Sequence, residues 1–178
     1  EIAILYRNNF LSRRLEEELN GRGIPYIIYG GFRFFERSEI KDMIAYLRVI
    51  VNPDDDSAFE RTINNPPRGI GQKTIDIIRK FAKADNRSLW KTIKSLQNQN
   101  NDEISSRVNT SLTNYISLIE IISNEINDLS LDEILIKIYK ESKLKSYYSE
   151  QKGEEAISKQ ENIEAVSYTH LRAHETSN

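Results

Sequence analysis

Apolar positions follow three rhythms along this chain. Ala3-Ile4-Leu5-Tyr6 and Pro25-Tyr26-Ile27-Ile28-Tyr29 are uninterrupted apolar runs, the pattern of strands covered on both faces. Between them Leu11, Leu15 and Leu19 recur at helical spacing, so residues 2–31 read as a βαβ unit whose right-handed crossover makes the strands parallel. From Ile40 onward the rhythm is helical throughout. Ile40, Met43, Ile44, Leu47, Ile50 and Val51 form one stripe, Ile75, Ile78 and Phe81 a second, and Leu89, Trp90, Ile93 and Leu96 a third. Val108, Leu112, Tyr115, Ile119, Ile122 and Ile126 make a long fourth stripe, followed by Ile134, Leu135, Ile138 and Tyr139 and a last helix over 154–166. Residues 167–178 continue no period. The expected fold is α/β, a parallel sheet with flanking helices followed by an all-α segment.

Punctuation refines these elements. Asn8 or Asn9 caps the first helix, which ends at Asn20-Gly21-Arg22-Gly23. Ser38 caps the next, with Glu39 and Asp42 in its first turn. Asp54-Asp55-Asp56 reads as a helix-entry turn, because a calcium loop needs further ligands at regular spacing and a glycine for the bend. Ser57 to Glu60 and Ser130 to Glu133 fit capping boxes, and Pro66-Pro67 stops a helix. The polar run Gln97-Asn98-Gln99-Asn100-Asn101 marks a boundary, dividing the chain into 1–96 and 97–166. The tail 167–178, with His170 and His174 four apart, resembles a translated adapter, so no metal is expected there.

Charge sharpens that division. Residues 1–100 carry 17 Lys+Arg against 13 Asp+Glu, and the remainder 8 against 14, so the front half suits phosphates better than the back. The chain has no cysteine, which removes disulfides and thiolate metal sites and fits a cytoplasmic protein. No apolar run nears the roughly 20 residues of a membrane span, and Glu1-Ile2 opens directly in an apolar run, as expected of a piece of a longer chain.

Two stretches carry candidate chemistry. Tyr6-Arg7-Asn8 lies at the carboxyl end of the first predicted strand, where ligands of parallel sheets sit. On spacing alone Tyr6 reads as a cap on the core and Arg7 as a solvated loop residue. The alternative is an aromatic plane and a fixed cation at a ligand edge. Arg68-Gly69-Ile70-Gly71-Gln72-Lys73-Thr74 joins two helices. Its backbone amides and following helix N-terminus can receive a phosphate, with Arg68, Lys73 and Thr74 as side-chain donors. Equally, it can be a tight turn needing glycine only for its angles.

AILYRNNFLSRRLEEEL and GIPYIIYGGFRFFERSEIKDMIAYLRVIVNPDDDSAFERTINNPPRGIG resemble the UvrD/PcrA/Rep group of superfamily 1 DNA helicases across their 2A domain, densely to about residue 95. The resemblance implies a partial RecA-like sheet, with 1–96 as the first half of domain 2A and 97–166 as the start of the helical insertion 2B. It places motif IV at Ile4 to Asn8, with Tyr6 packed on adenine and Arg7 reaching the γ-phosphate. The implied cofactor is ATP with Mg2+, held between 2A and domain 1A of the same chain. The implied partners are single-stranded DNA and a duplex junction, with Arg68, Gly69, Gly71, Lys73 and Thr74 on the DNA backbone and the Phe32 to Arg37 loop a weaker candidate.

No G-x-x-x-x-G-K-[ST] loop occurs in the sequence, so these residues alone are expected to supply one wall of an ATP site and not to hydrolyse ATP. The full protein would be an ATP-dependent 3′ to 5′ helicase of the bacterial cytoplasm or nucleoid. The rival expectation is non-enzymatic: a helical nucleic-acid-binding or protein-interaction module.

Overall fold

A computed structural model describes residues 2–6, 11–28, 36–97, 103–151, 153 and 156–163. Nine helices are present among them: α1 (Leu11–Gly21), α2 (Ser38–Val51), α3 (Asp56–Ile63), α4 (Gln72–Asp85), α5 (Leu89–Gln97), α6 (Ser106–Glu125), α7 (Leu131–Glu141), α8 (Leu144–Glu150) and α9 (156–163). No described helix is long and apolar enough to cross a membrane.

The expected α/β class is not what forms. There is no strand among the described residues: the runs 3–6 and 25–29, predicted as a parallel pair, are irregular over 3–6 and 25–28, and Tyr29 lies outside the described residues. Leu5 and Ile27 face outward, 95% and 75% exposed, while Tyr6, Tyr26 and Ile28 are half-buried. A parallel pair gains its stability from cover on both faces, and among the described residues nothing covers Leu5 or Ile27, so part of the hydropathy typical of a buried strand is left in solvent. The described architecture is all-α. Because large apolar side chains left in solvent favour association, the double variant Leu5→Glu, Ile27→Glu should lower self-association in light scattering. The melting temperature should move by less than about 2 °C, since neither side chain is in the core.

α1 ends where predicted. Ile24 N–H donates to Leu19 O (2.9 Å) and Gly23 N–H to Asn20 O (3.0 Å), with Gly23 at φ 66°. That is a Schellman ending, which glycine adopts without a Cβ clash.

α2 is the centre of the body. It packs against α3, α6 and α7, burying Ile40, Met43, Ala45, Tyr46, Val49 and Ile50. Helices press on it from more than one side, so Tyr46 and Val49 are buried while Ile44 and Val51 of the predicted stripe face outward. Two caps differ from expectation. Ser38 is already helical and the extended cap residue is Arg37, without a capping side chain. α3 is capped by Asp55, whose carboxylate accepts from Ala58 N–H (3.1 Å), earlier than a Ser57 box would allow. The other aspartates join helices: Asp54 accepts from Ser88 Oγ and Lys91 Nζ, and Asp56 from Leu89 N–H, closing the start of α5. The Ser130–Glu133 capping box forms as predicted.

One hydrophobic cluster runs from α2 to α9. Phe59 sits at its middle, edge-on to Trp90 (6.3 Å between centroids) and Tyr115 (5.5 Å). α6 crosses back onto both α2 and α5, so packing continues across residue 97, the division drawn from composition. Residues 98–102 and the tail lie outside the described residues.

Candidate nucleic-acid interface

The α3–α4 connection is built by burying its middle and exposing its flanks. Ile70 is 1% exposed and anchors the turn in the core, while Gly69 and Gly71 on either side are exposed. Asn64 Oδ1 accepts from the backbone N–H of Arg68 (2.7 Å) and of Ile70 (3.3 Å), holding the loop in place of a regular ladder. Gly69 has φ 73°, a left-handed angle that costs other residues about 1–2 kcal/mol. Gly71 is different: its φ is −78°, and a Cβ added there would meet nothing within 4 Å.

Gly71 caps α4, its carbonyl accepting from Thr74 N–H (3.0 Å) and Ile75 N–H (3.3 Å). The first-turn amides of Gln72 and Lys73 have no helical acceptor, as in every helix start. Lys73 is exposed and Thr74 half-buried beside them. Asp76, the acid of that first turn and a half, is engaged by Gln72 Nε2 (2.9 Å) and Arg79 (2.9 Å). The exposed turn therefore offers N–H dipoles and the Lys73 ammonium, a combination suited to an anion.

Arg68 turns the other way. Its guanidinium donates to the carbonyls of Thr62 (2.9 Å), Ile63 (3.2 Å), Pro66 (3.0 Å) and Ser142 (3.3 Å) and to Tyr46 Oη (2.6 Å). It also lies over the Tyr115 ring, 5.2 Å from its centroid. Tyr46 passes its own proton to Asn65 O (2.7 Å), and burial pushes its phenol up to about 12 despite the neighbouring cation. Thr62 Oγ1 donates to Ala58 O (2.8 Å) and so accepts from Tyr115 Oη (2.6 Å). Of the five predicted DNA-contact residues, four share the exposed turn; Arg68 is the strut beneath it. Asn64, Tyr46 and Ser142, which position the turn, escaped the sequence reading. A tyrosine inside an apolar stripe was the available signal, because a buried hydroxyl needs a partner.

The second candidate is only partly described. Tyr6 is half-buried in the irregular run 2–6. Arg7 lies outside the described residues, as do 32–35 of the Phe32–Arg37 loop. Arg37 itself is buried, donating to Ser12 Oγ (2.6 Å) and Asn162 Oδ1 (2.5 Å), while Asn162 Nδ2 donates to Glu39 Oε1 (2.7 Å). Burial lowers the pKa of this guanidinium, with Glu39 and Glu16 opposing the shift. Arg37 is spent on joining α1, α2 and α9. No group of three or more His, Cys, Asp or Glu able to hold a metal occurs among the described residues.

The sequence pattern of the UvrD-like helicase C-terminal domain matches residues 1–175. DNA helicase II of Escherichia coli K12 is 42% identical over 166 residues, 93% of this chain and 23% of that protein. DNA helicase II of Haemophilus influenzae is 42% identical over the same length, and the ATP-dependent DNA helicase PcrA of Bacillus subtilis 36% over 164 residues, 92% of this chain and 22% of its own. The chain thus spans less than a quarter of the length of these relatives.

Proposed function

Since the chain belongs to the UvrD-like helicase C-terminal domain family, we propose that it is part of an ATP-dependent 3′ to 5′ DNA helicase, which couples ATP hydrolysis to movement along single-stranded DNA and unwinding of the duplex. The activity belongs to the whole protein, acting in the bacterial cytoplasm or nucleoid. The observation that carries the reading is the extended identity to DNA helicase II, joined to an exposed glycine turn with free amides. In the family's terms, 1–96 correspond to the first half of domain 2A and 97–166 to the start of 2B.

Two roles follow within this piece. Tyr6 and Arg7 form the motif IV edge of the ATP site, Tyr6 against adenine and Arg7 at the γ-phosphate of ATP bound with Mg2+. The α3–α4 turn meets the DNA backbone through Gly69, Gly71, Lys73 and Thr74. Arg68 belongs to the same site as a positioning residue.

Gly71 provides the test. Its angles are open to any residue and its surroundings admit a methyl, so Gly71→Ala should cost less than about 1 kcal/mol in stability, the loss of a glycine cap. In the full-length protein that methyl would stand between the amides and a phosphate, and affinity for a single-stranded oligonucleotide should fall roughly tenfold. Lys73→Ala should reduce the salt slope of binding by about 1. Unchanged affinity and slope in both variants, measured by fluorescence anisotropy, would remove the turn from the DNA site.

A further inference from the structure

The strut that supports the α3–α4 turn also reaches a segment far away in sequence. Arg68 Nη2 donates to Ser142 O at 3.3 Å across 74 positions, so the α7–α8 corner sits within one arginine side chain of the glycine turn. The corner is firmly seated: Ser142 is 1% exposed and Leu144 fully buried, and Ser142 N–H donates to Ile138 O (3.0 Å) and Lys143 N–H to Lys140 O (3.2 Å).

Around those two anchors the corner exposes Lys140, Lys143 and Lys145. None of the three ammonium groups has a hydrogen-bond or ion-pair partner among the described residues, whereas Arg22, Arg48, Arg61, Arg79, Lys91, Lys94 and Lys137 each hold a carboxylate. The adjacent acid, Glu141, is held by Lys137 at 3.1 Å. Lys143 also adopts φ 66°, a region where a long side chain is disfavoured and glycine or asparagine is the usual occupant. The backbone there suits glycine better, so the lysine carries a conformational cost.

We propose that the α7–α8 corner is a second basic contact for the phosphate backbone of DNA, acting beside the α3–α4 turn, with Arg68 fixing the spacing of the two. The inference rests on the reading of that turn as a DNA contact and adds Lys140, Lys143 and Lys145 to it. Charge complementarity selects the occupant. Three ammonium groups unpaired among the described residues, on a corner anchored by Ser142 and Leu144, match a polyanion of repeating phosphates, and the turn next to them offers amides to the same backbone.

The experiment uses the full-length protein and a fluorescein-labelled duplex with a single-stranded 3′ tail, with anisotropy followed from low to high salt. Lys143→Gly should leave the melting temperature unchanged or raise it, while lowering the salt slope by about 1 and weakening binding roughly five- to tenfold near 0.1 M salt. Lys140→Ala, Lys143→Gly and Lys145→Ala together should lower the slope by about 2–3. A wild-type slope in the triple variant overturns the proposal. Lys73→Ala run in parallel separates it from the reading beneath: a lower slope for Lys73→Ala with a wild-type slope for the corner variants leaves the turn standing and removes the corner. The reverse result keeps the corner and removes the turn. Wild-type slopes throughout remove both.

Discussion

Arg68→Ala is expected to lower the melting temperature of this chain by about 6–12 °C, measured by circular dichroism at 222 nm. The substitution withdraws a cation from four carbonyl oxygens and from Tyr46 Oη, and it opens space beneath the Tyr115 ring. Partly buried acceptors left without donors cost at most about 1–3 kcal/mol each. Partial rescue by water brings the sum to about 3 kcal/mol, and a chain of this size loses roughly 2–4 °C per kcal/mol. Arg68→Lys should recover little of it, since one ammonium cannot span acceptors on both sides of a planar fork. An unchanged melting temperature accompanied by weaker DNA binding would show that the guanidinium faces the nucleic acid and not the core.

Arg7→Ala in the full-length protein should have the larger effect on rate. In the proposed ATP site Arg7 faces the γ-phosphate, where charge spreads over the phosphoryl oxygens as the bond to the leaving group weakens. A permanently protonated fork that stabilises this charge is worth about 10³–10⁵ in turnover in other phosphoryl-transfer enzymes. ATP turnover should fall by about that factor while ATP affinity changes less than tenfold, because the interaction strengthens in the transition state. Arg7→Lys keeps the charge but loses the bidentate geometry, so its rate should lie nearer alanine than arginine. Turnover unaltered in Arg7→Ala would end the assignment.

Helices α2, α4, α5, α6 and α7 were legible in the sequence because an amphipathic stripe is local information: Leu112, Tyr115, Ile119 and Ile122 fall on one face whatever they pack against. Exposure of Leu5 and Ile27 was not legible. Apolar character states what a segment would gain from burial, and whether a covering surface exists is a tertiary fact. The caps slipped for a related reason. A serine cap is worth about 1 kcal/mol, and at the start of α2 the buried bonds of Arg37 to Ser12 and Asn162 fix the entry angle instead.

The candidate site divided in the same way. The glycine turn was visible because Gly-Ile-Gly between two helical stripes is a local pattern, two permissive residues around one apolar anchor, and Lys73 followed from it. That Arg68 points inward depends on Tyr46 and Ser142, which lie 22 positions before it and 74 after. No motif spans those separations. The corner lysines were invisible for the same reason, since their interest comes from a neighbour supplied by the fold.

The junction of Arg37 with Asn162 has a consequence for synthesis. The two residues are 125 positions apart, and a ribosome adding about 5–20 residues per second needs roughly 6–25 s to travel between them. Throughout that interval the α2 start has its arginine and Glu39 but not the amide that joins them. The Asn162 bridge between Arg37 and Glu39 can therefore close only once α9 has been made, whereas the direct bond of Arg37 to Ser12 of α1 is open to form long before it.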